Sequence, residues 1–315
     1  LDMLRSLRST TVHRQQATLL CARLQSTAAA TRSNDVFLLN TATLDASTRE
    51  VAAPDKPPLV VLHGLFGNLR NWRSISIKML RKGVVGSVVA MDLRNHGSSP
   101  RHPDCSIQSM TRDLAHTLRH LNLPPSTTIL GHSMGGKVAM NLAIQEPNIF
   151  DRMIIADVAP VKHDTRSEFT PYIEAMKALD LTPGNPENHI SNFTRTDLEQ
   201  KLKLAIPSEG VRHFLLSNLI IFDKQWAWAM NLDAIEVWLD DIGFMPEEMA
   251  SKSSMKEAVF IMGERSSYGD PVNNPIIHKY FPAADIRVIK GAGHWLHAEQ
   301  PDNFVEEVGR FLAAR

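Results

Sequence analysis

Apolar positions in this chain gather into short continuous runs, separated by stretches with helical spacing. Leu59-Val60-Val61-Leu62, Val84 to Met91, Thr127-Thr128-Ile129-Leu130 and Met153-Ile154-Ile155-Ala156 are such runs. They lack strict alternation, as strands buried on both faces do. Between them the spacing predicts helices. Trp72 to Leu80 ends at the stop signal Lys82-Gly83, and Ile107, Met110, Leu114, Leu118 and Leu121 share one helical face. Beyond Gly136, the apolar residues Val138, Met140, Leu142 and Ile144 mix with Ala139 and Ala143 in a third helical segment. Pro54, Pro57 and Pro58 close the loop ahead of the first run. This βαβαβαβ order predicts an α/β fold with a mostly parallel, doubly wound sheet.

The alternation stops at about 161. From there to 254 the chain carries helical patterns and loops but no run that reads as a buried strand. Strand character returns at Ala258 to Met262 and Ile286 to Ile289, and a helix from Asn303 to Ala313 ends the pattern. The expected organisation is a core in two parts, 34–160 and 255–315, interrupted by a helical insertion, 161–254, standing over the sheet. Its apolar and aromatic residues Phe169, Tyr172, Met176, Phe214, Phe222, Trp226 and Trp228 are expected mostly to pack the insertion's own helices.

Composition narrows the function classes. The 315 residues include 34 Lys+Arg and 34 Asp+Glu, so no global basic signal points to nucleic acid. No apolar run is long enough to cross a bilayer. Cys21 and Cys105 cannot build a disulfide framework, and neither they nor the histidines show a metal-type spacing. The amino-terminal region differs. From Met3 to Asn34 it holds Arg5, Arg8, Arg14, Arg23 and Arg32, many Ser, Thr and Ala, and no acidic residue. Residues 1–33 therefore read as a mitochondrial transit peptide with delivery to the matrix, and its removal would leave a mildly acidic body.

The chemistry centres on Gly131-His132-Ser133-Met134-Gly135-Gly136. A bare Gly-x-Ser-x-Gly is a weak signal, but here a strand precedes it and a helix follows. That context makes Ser133 a candidate nucleophile on a sharp strand-to-helix turn. A serine hydroxyl needs a base and the base an orienting acid. His294, in Gly291-Ala292-Gly293-His294-Trp295 after the last strand, is the best base. His297 is its rival, read as structural. Backbone amides of Met134 and Leu65, with Phe66 as the fallback for Leu65, would form an oxyanion hole. His63 reads as an ordering residue beneath that loop, and Asp92 as a structural loop acid holding Arg94 or backbone amides. The acid is the hard assignment. The loop after the penultimate strand, Gly263-Glu264-Arg265-Ser266, places a serine where an acid usually stands. Asp157, at the end of the strand after the elbow, is the preferred acid, with Asp233, Glu264 and Asp270 as alternatives. That strand-to-helix turn, the nucleophile elbow, carries no aspartate nucleophile, which disfavours dehalogenase and epoxide hydrolase chemistry.

Five motifs occur in order: His63-Gly64-Leu65-Phe66-Gly67, Asp92-Leu93-Arg94-Asn95-His96-Gly97-x-Ser99, Gly131 to Lys137, Asp157-Val158-Ala159-Pro160-Val161 and Gly293 to Glu299. Together they resemble the alpha/beta hydrolase domain-containing protein 11 group, which includes bacterial short-chain esterases and mitochondrial members. The similarity spans about 57 to 313 and is weakest in the insertion. It implies the alpha/beta hydrolase fold, the triad Ser133, Asp157 and His294, a helical lid, and no metal or organic cofactor. It also implies hydrolysis of small or medium acyl esters, or lipid-like ones. Acyl transfer by the same residues, and slow turnover as a protein partner of a mitochondrial enzyme assembly, stay open beside it.

Overall fold

The computed structural model describes residues 35–45, 53, 55–182, 184–244 and 252–314. The transit-peptide reading of 1–33 lies outside them. Nine strands are described: β1 (Asn40–Leu44), β2 (Pro58–Leu62), β3 (Ser87–Asp92), β4 (Thr128–His132), β5 (Arg152–Ala156), β6 (Leu219–Phe222), β7 (Gln225–Trp228), β8 (Ala258–Gly263) and β9 (Ala284–Ile289). Seven of them form one sheet in the order β1-β3-β2-β4-β5-β8-β9, parallel throughout except for antiparallel β1 at the edge.

Burial on both faces explains why the central strands read as unbroken apolar runs. In β2, Val60 and Leu62 join one core while Leu59 and Val61 join the other, and in β5 Ile155 and Ile154 divide in the same way. Helices α1 (Arg73–Arg81), α2 (Ile107–His120) and α3 (Met134–Gln145) connect the first four parallel strands. Residues of α2 and α3 pack into the first core, and those of α1 into the second, beside the last helix, Pro301–Ala313. Because β3 lies on one side of β2 and β4 on the other, the crossover direction reverses at β2. A crevice opens there between the carboxyl ends of β2 and β4, where open α/β sheets place ligands. The segment after β2 and Ser133 after β4 both sit at that switch point.

The region between β5 and β8 holds α4 (Thr165–Lys177), α5 (Arg195–Lys203), α6 (Glu209–Leu216), α7 (Leu232–Val237) and α8 (Leu239–Gly243). It also holds an antiparallel ribbon, β6 with β7. The ribbon departs from the all-helical expectation, and its burial explains why. Leu219, Ile220 and Phe222 are only half-buried and Ile221 is exposed, so no buried-strand run marks it. Strand β1 (Asn-Thr-Ala-Thr-Leu) is half-exposed for the same reason. Strand β3 starts at Ser87 and not at Val84, because Gly83 turns the chain at φ +63° and Val84 N–H returns to Met79 O at 2.9 Å.

Candidate active site

Ser133 stands between the last residue of β4 and the first of α3, with φ 51° and ψ −117°. A non-glycine residue in that conformation is strained by roughly 1–3 kcal/mol. The flanking glycines make the turn sterically feasible. A Cβ on Gly131 would lie 2.4 Å from Gly135 O, and one on Gly135 would lie 2.6 Å from His63 O. Ser133 N–H donates to Ala156 O at 3.0 Å, which ties the turn to the end of β5. Replacing Gly131 with alanine is expected to destabilise the fold by about 1–3 kcal/mol through overpacking. Urea unfolding checks this: an unchanged midpoint would show that the turn can relax around the added methyl.

The next residue along β5's end is Asp157, at φ 52° and fully buried. Three donors meet its carboxylate. Gly263 N–H reaches Oδ1 at 2.8 Å, His294 Nδ1 reaches Oδ2 at 2.7 Å, and Ser266 Oγ–H also donates to Oδ2. Ser266 thus occupies the position where an acid was missing in the sequence and instead supports Asp157 from that side. With Nδ1–H committed to Asp157, Nε2 is the basic nitrogen of the neutral His294 ring. The alternative acids sit elsewhere. Asp233 is 87% exposed and pairs with Lys177 at 2.6 Å. Glu264 is exposed and accepts Gly291 N–H at 2.8 Å. Asp270 is exposed in the turn closed by Asn273 N–H to its carbonyl.

Leu65, Phe66, His132, Ser133, His294 and Trp295 share one cleft with the lid residues Phe169, Tyr172, Val211, Phe214 and Leu215. Its empty space, open solvent included, comes to about 350 Å³, and its walls are chiefly apolar. Three of the seven aromatic or apolar lid residues noted in the sequence therefore reach the cleft. Trp228 and Met176 are buried within the lid instead, joined by Trp228 Nε1–H to Met176 O at 3.1 Å. Met134 opens α3, whose leading amides have no acceptor within the helix. Leu65 and Phe66 are the two central residues of a turn closed by Gly67 N–H to Gly64 O at 2.9 Å, with Phe66 at φ 58°. Asn218 of the lid braces this turn by donating to Phe66 O at 2.7 Å, and it accepts from Asn68 Nδ2 at 2.9 Å. Nothing in the local sequence around Asn218 marks it, because its partners are about 150 residues away.

His63, His96 and His297 are buried structural groups. His63 Nε2 accepts Leu93 N–H at 3.0 Å and Nδ1 faces Gly64 O at 2.7 Å, as an ordering role requires. His297 is buried and stacks on Trp72 at 4.2 Å, within the short helix Leu296–Glu299. Asp92 accepts backbone amides from Leu69 and Ser98, each at 2.8 Å, whereas Arg94 is held by Asp113 at 2.6 Å. Burial pulls His63 down to about 4, and burial with, secondarily, the neighbouring His294 imidazole pulls His297 to about 3. Burial also lowers His96 to about 3, helped by His63.

An acid sensitivity follows. These rings stay neutral in the folded protein at pH values where an unfolded chain, titrating near 6.5, takes up protons. Their stabilisation is complete above pH 6.5 and is lost as pH falls from there toward 4 for His63 and toward 3 for His96 and His297. Each can remove about 2 kcal/mol between pH 6.5 and 5. The urea midpoint is expected to fall over that interval, and a flat profile would contradict the neutral assignment.

Comparison with known proteins agrees with this architecture. The family described as alpha/beta hydrolase fold matches residues 57–301. The chain is 36% identical over 257 residues to the Mus musculus protein named sn-1-specific diacylglycerol lipase ABHD11, covering 82% of this chain and 81% of that one. It is 31% identical over 259 residues to Esterase YbfF of Escherichia coli (strain K12), covering 81% and 92%. A solved structure titled Marine microorganism esterase superposes with a TM-score of 0.75 at 33% identity, covering 87% of this chain and 99% of that one. The chain belongs to the alpha/beta hydrolase fold family, within the alpha/beta hydrolase domain-containing protein 11 group and its bacterial esterase relatives.

Proposed function

We propose that this chain is a serine esterase of lipase type, hydrolysing carboxylic esters of small or medium acyl chains, acylglycerols among them, with Ser133, His294 and Asp157 as its triad. The observation that carries the reading is the hydrogen bond from His294 Nδ1 to the buried Asp157 carboxylate, 2.7 Å long, beside a strained Ser133 in the same apolar cleft. Ser133 Oγ attacks the ester carbonyl as His294 Nε2 takes its proton, and Asp157 stabilises the imidazolium. Amides of Met134 and Leu65 receive the charge that develops on the carbonyl oxygen, each such donor being worth roughly 10²- to 10³-fold in rate. His294 then gives its proton to the leaving alkoxide. Water, losing a proton to His294, attacks the acyl-enzyme and releases the carboxylic acid product with Ser133 regenerated.

A series of 4-nitrophenyl and glyceryl esters of increasing acyl length tests the activity and the cleft together. Turnover is expected for short and medium chains, with a decline as chain length exceeds what the cleft admits. Added alcohols or thiols separate hydrolysis from acyl transfer: transfer requires a new ester or thioester to form at the expense of free acid. Delivery to the mitochondrial matrix is proposed from the arginine-rich composition of residues 1–33, which is free of acidic residues from Met3 onward. Residues 1–40 fused to a fluorescent protein should carry it into mitochondria, and a cytosolic signal would reject that destination.

A further inference from the structure

Tyr268 lies in the loop after β8 and is 6% exposed. Its ring stacks against the imidazole of His294, with centroids 4.3 Å apart and planes 28° apart. The ring of His163 also lies against it, at 4.5 Å. The Tyr268 hydroxyl donates to Glu168 on lid helix α4. One residue and one turn further along that helix, Phe169 and Tyr172 line the substrate cleft. A single lid helix thus presents two residues to the cleft and grips, through Glu168, the ring that lies on His294.

One hydrogen bond from Nδ1 to Asp157 sets the direction of the His294 ring but not its tilt about that bond, which the rings packed on it decide: Tyr268 nearest, then His132 at 4.7 Å and Trp295 at 5.8 Å. The stacked Tyr268 ring is the nearest of these and limits the tilt most, and proton transfer depends steeply on such alignment. Tyr268 can hold that place only if something holds Tyr268, and its polar anchor is on the lid. Burial and the Glu168 carboxylate both keep the phenol protonated, so the hydroxyl remains a donor across the working pH range. Resting on the triad reading above, we propose that Tyr268 is a positioning residue for His294, and that its bond to Glu168 couples the seating of the lid helix to the alignment of the base. Substrate that seats α4 then also aligns His294, and a displaced lid loosens it.

The test uses the full chain and a short-acyl 4-nitrophenyl ester. Tyr268→Leu, which removes the ring, is expected to lower kcat by roughly 30- to 100-fold with KM within about threefold of the parent. Tyr268→Phe and Glu168→Leu keep the ring and break the bond, and each is expected to cost about fivefold in kcat. Their combination should cost no more than either alone, since both remove one interaction. Glu168→Gln retains an acceptor and should recover most of the loss seen in Glu168→Leu. If Tyr268→Leu does not fold, the other four proteins still decide. Multiplying effects in the double variant, a Glu168→Gln as impaired as Glu168→Leu, or losses confined to KM would overturn the proposal. A parent Ser133 that fails to react with a fluorophosphonate would defeat the esterase reading itself. A reactive Ser133 with unchanged kcat in the Tyr268 variants would defeat only the positioning role.

Discussion

Ser133→Ala is expected to lower kcat by about 10⁵- to 10⁶-fold while leaving the fold intact. The loss is large because the remaining parts act only through the nucleophile. A base with no hydroxyl to deprotonate, and amides with no tetrahedral oxyanion to receive, contribute only residual catalysis. Stability should barely change. Alanine keeps the Cβ, so the strain at φ 51° and ψ −117° stays, and so does the Ser133 N–H to Ala156 O bond. Ser133→Gly offers a contrast. It removes the Cβ from an unfavourable conformation and should raise stability by about 1 kcal/mol while being equally inactive. Steady-state kinetics and urea unfolding on the three proteins check both halves. Substantial turnover by Ser133→Ala would move the nucleophile elsewhere.

The second large effect is expected at the acid. Asp157→Asn should reduce kcat by about 10⁴-fold. The reason lies in the donors around the carboxylate. Gly263 N–H fixes an acceptor at Oδ1, and this backbone donor cannot reverse. An asparagine that satisfies it must turn its NH2 group toward His294 Nδ1 and Ser266 Oγ, where Oδ2 stood. The hydroxyl can rotate to accept. The imidazole can accept only by moving its proton to Nε2, and that tautomer cannot deprotonate Ser133. The same change at Glu264 or Asp233 should leave kcat within about twofold, since exposed surface substitutions rarely do more. Near-normal turnover by Asp157→Asn would transfer the role to another carboxylate.

Much of this site is legible in the amino-acid sequence, for reasons that differ residue by residue. The parallel strands announce themselves because both faces are buried, and so the elbow and the loop after β2 could be assigned to one edge of the sheet. The histidine after the last strand is found by chain order. Asp157 became visible through an absence, since Ser266 stands where an acid usually does. What stayed hidden depends on distant partners or partial exposure. The edge strand β1 and the ribbon β6–β7 have too few buried positions to leave a periodic signal. Arg94 pairs with Asp113, and not with the Asp92 of its own motif, because helix α2 brings Asp113 alongside. Asn218 and Tyr268 act across roughly 150 and 100 residues of chain respectively, through a lid whose local patterns show only that helices pack. Proximity in the folded chain, not residue type, gives them their roles.

Activation of the Ser133 nucleophile by His294 and Asp157 is the step on which turnover depends. It is tested most directly by incubating the folded full-length chain with a fluorophosphonate and mapping the adduct by peptide mass spectrometry. A single covalent phosphonyl group is expected on Ser133, formed rapidly by the parent, at least about 100-fold more slowly by His294→Ala, and not at all by Ser133→Ala. No adduct on Ser133 in folded protein, or labelling as fast in His294→Ala as in the parent, would contradict it.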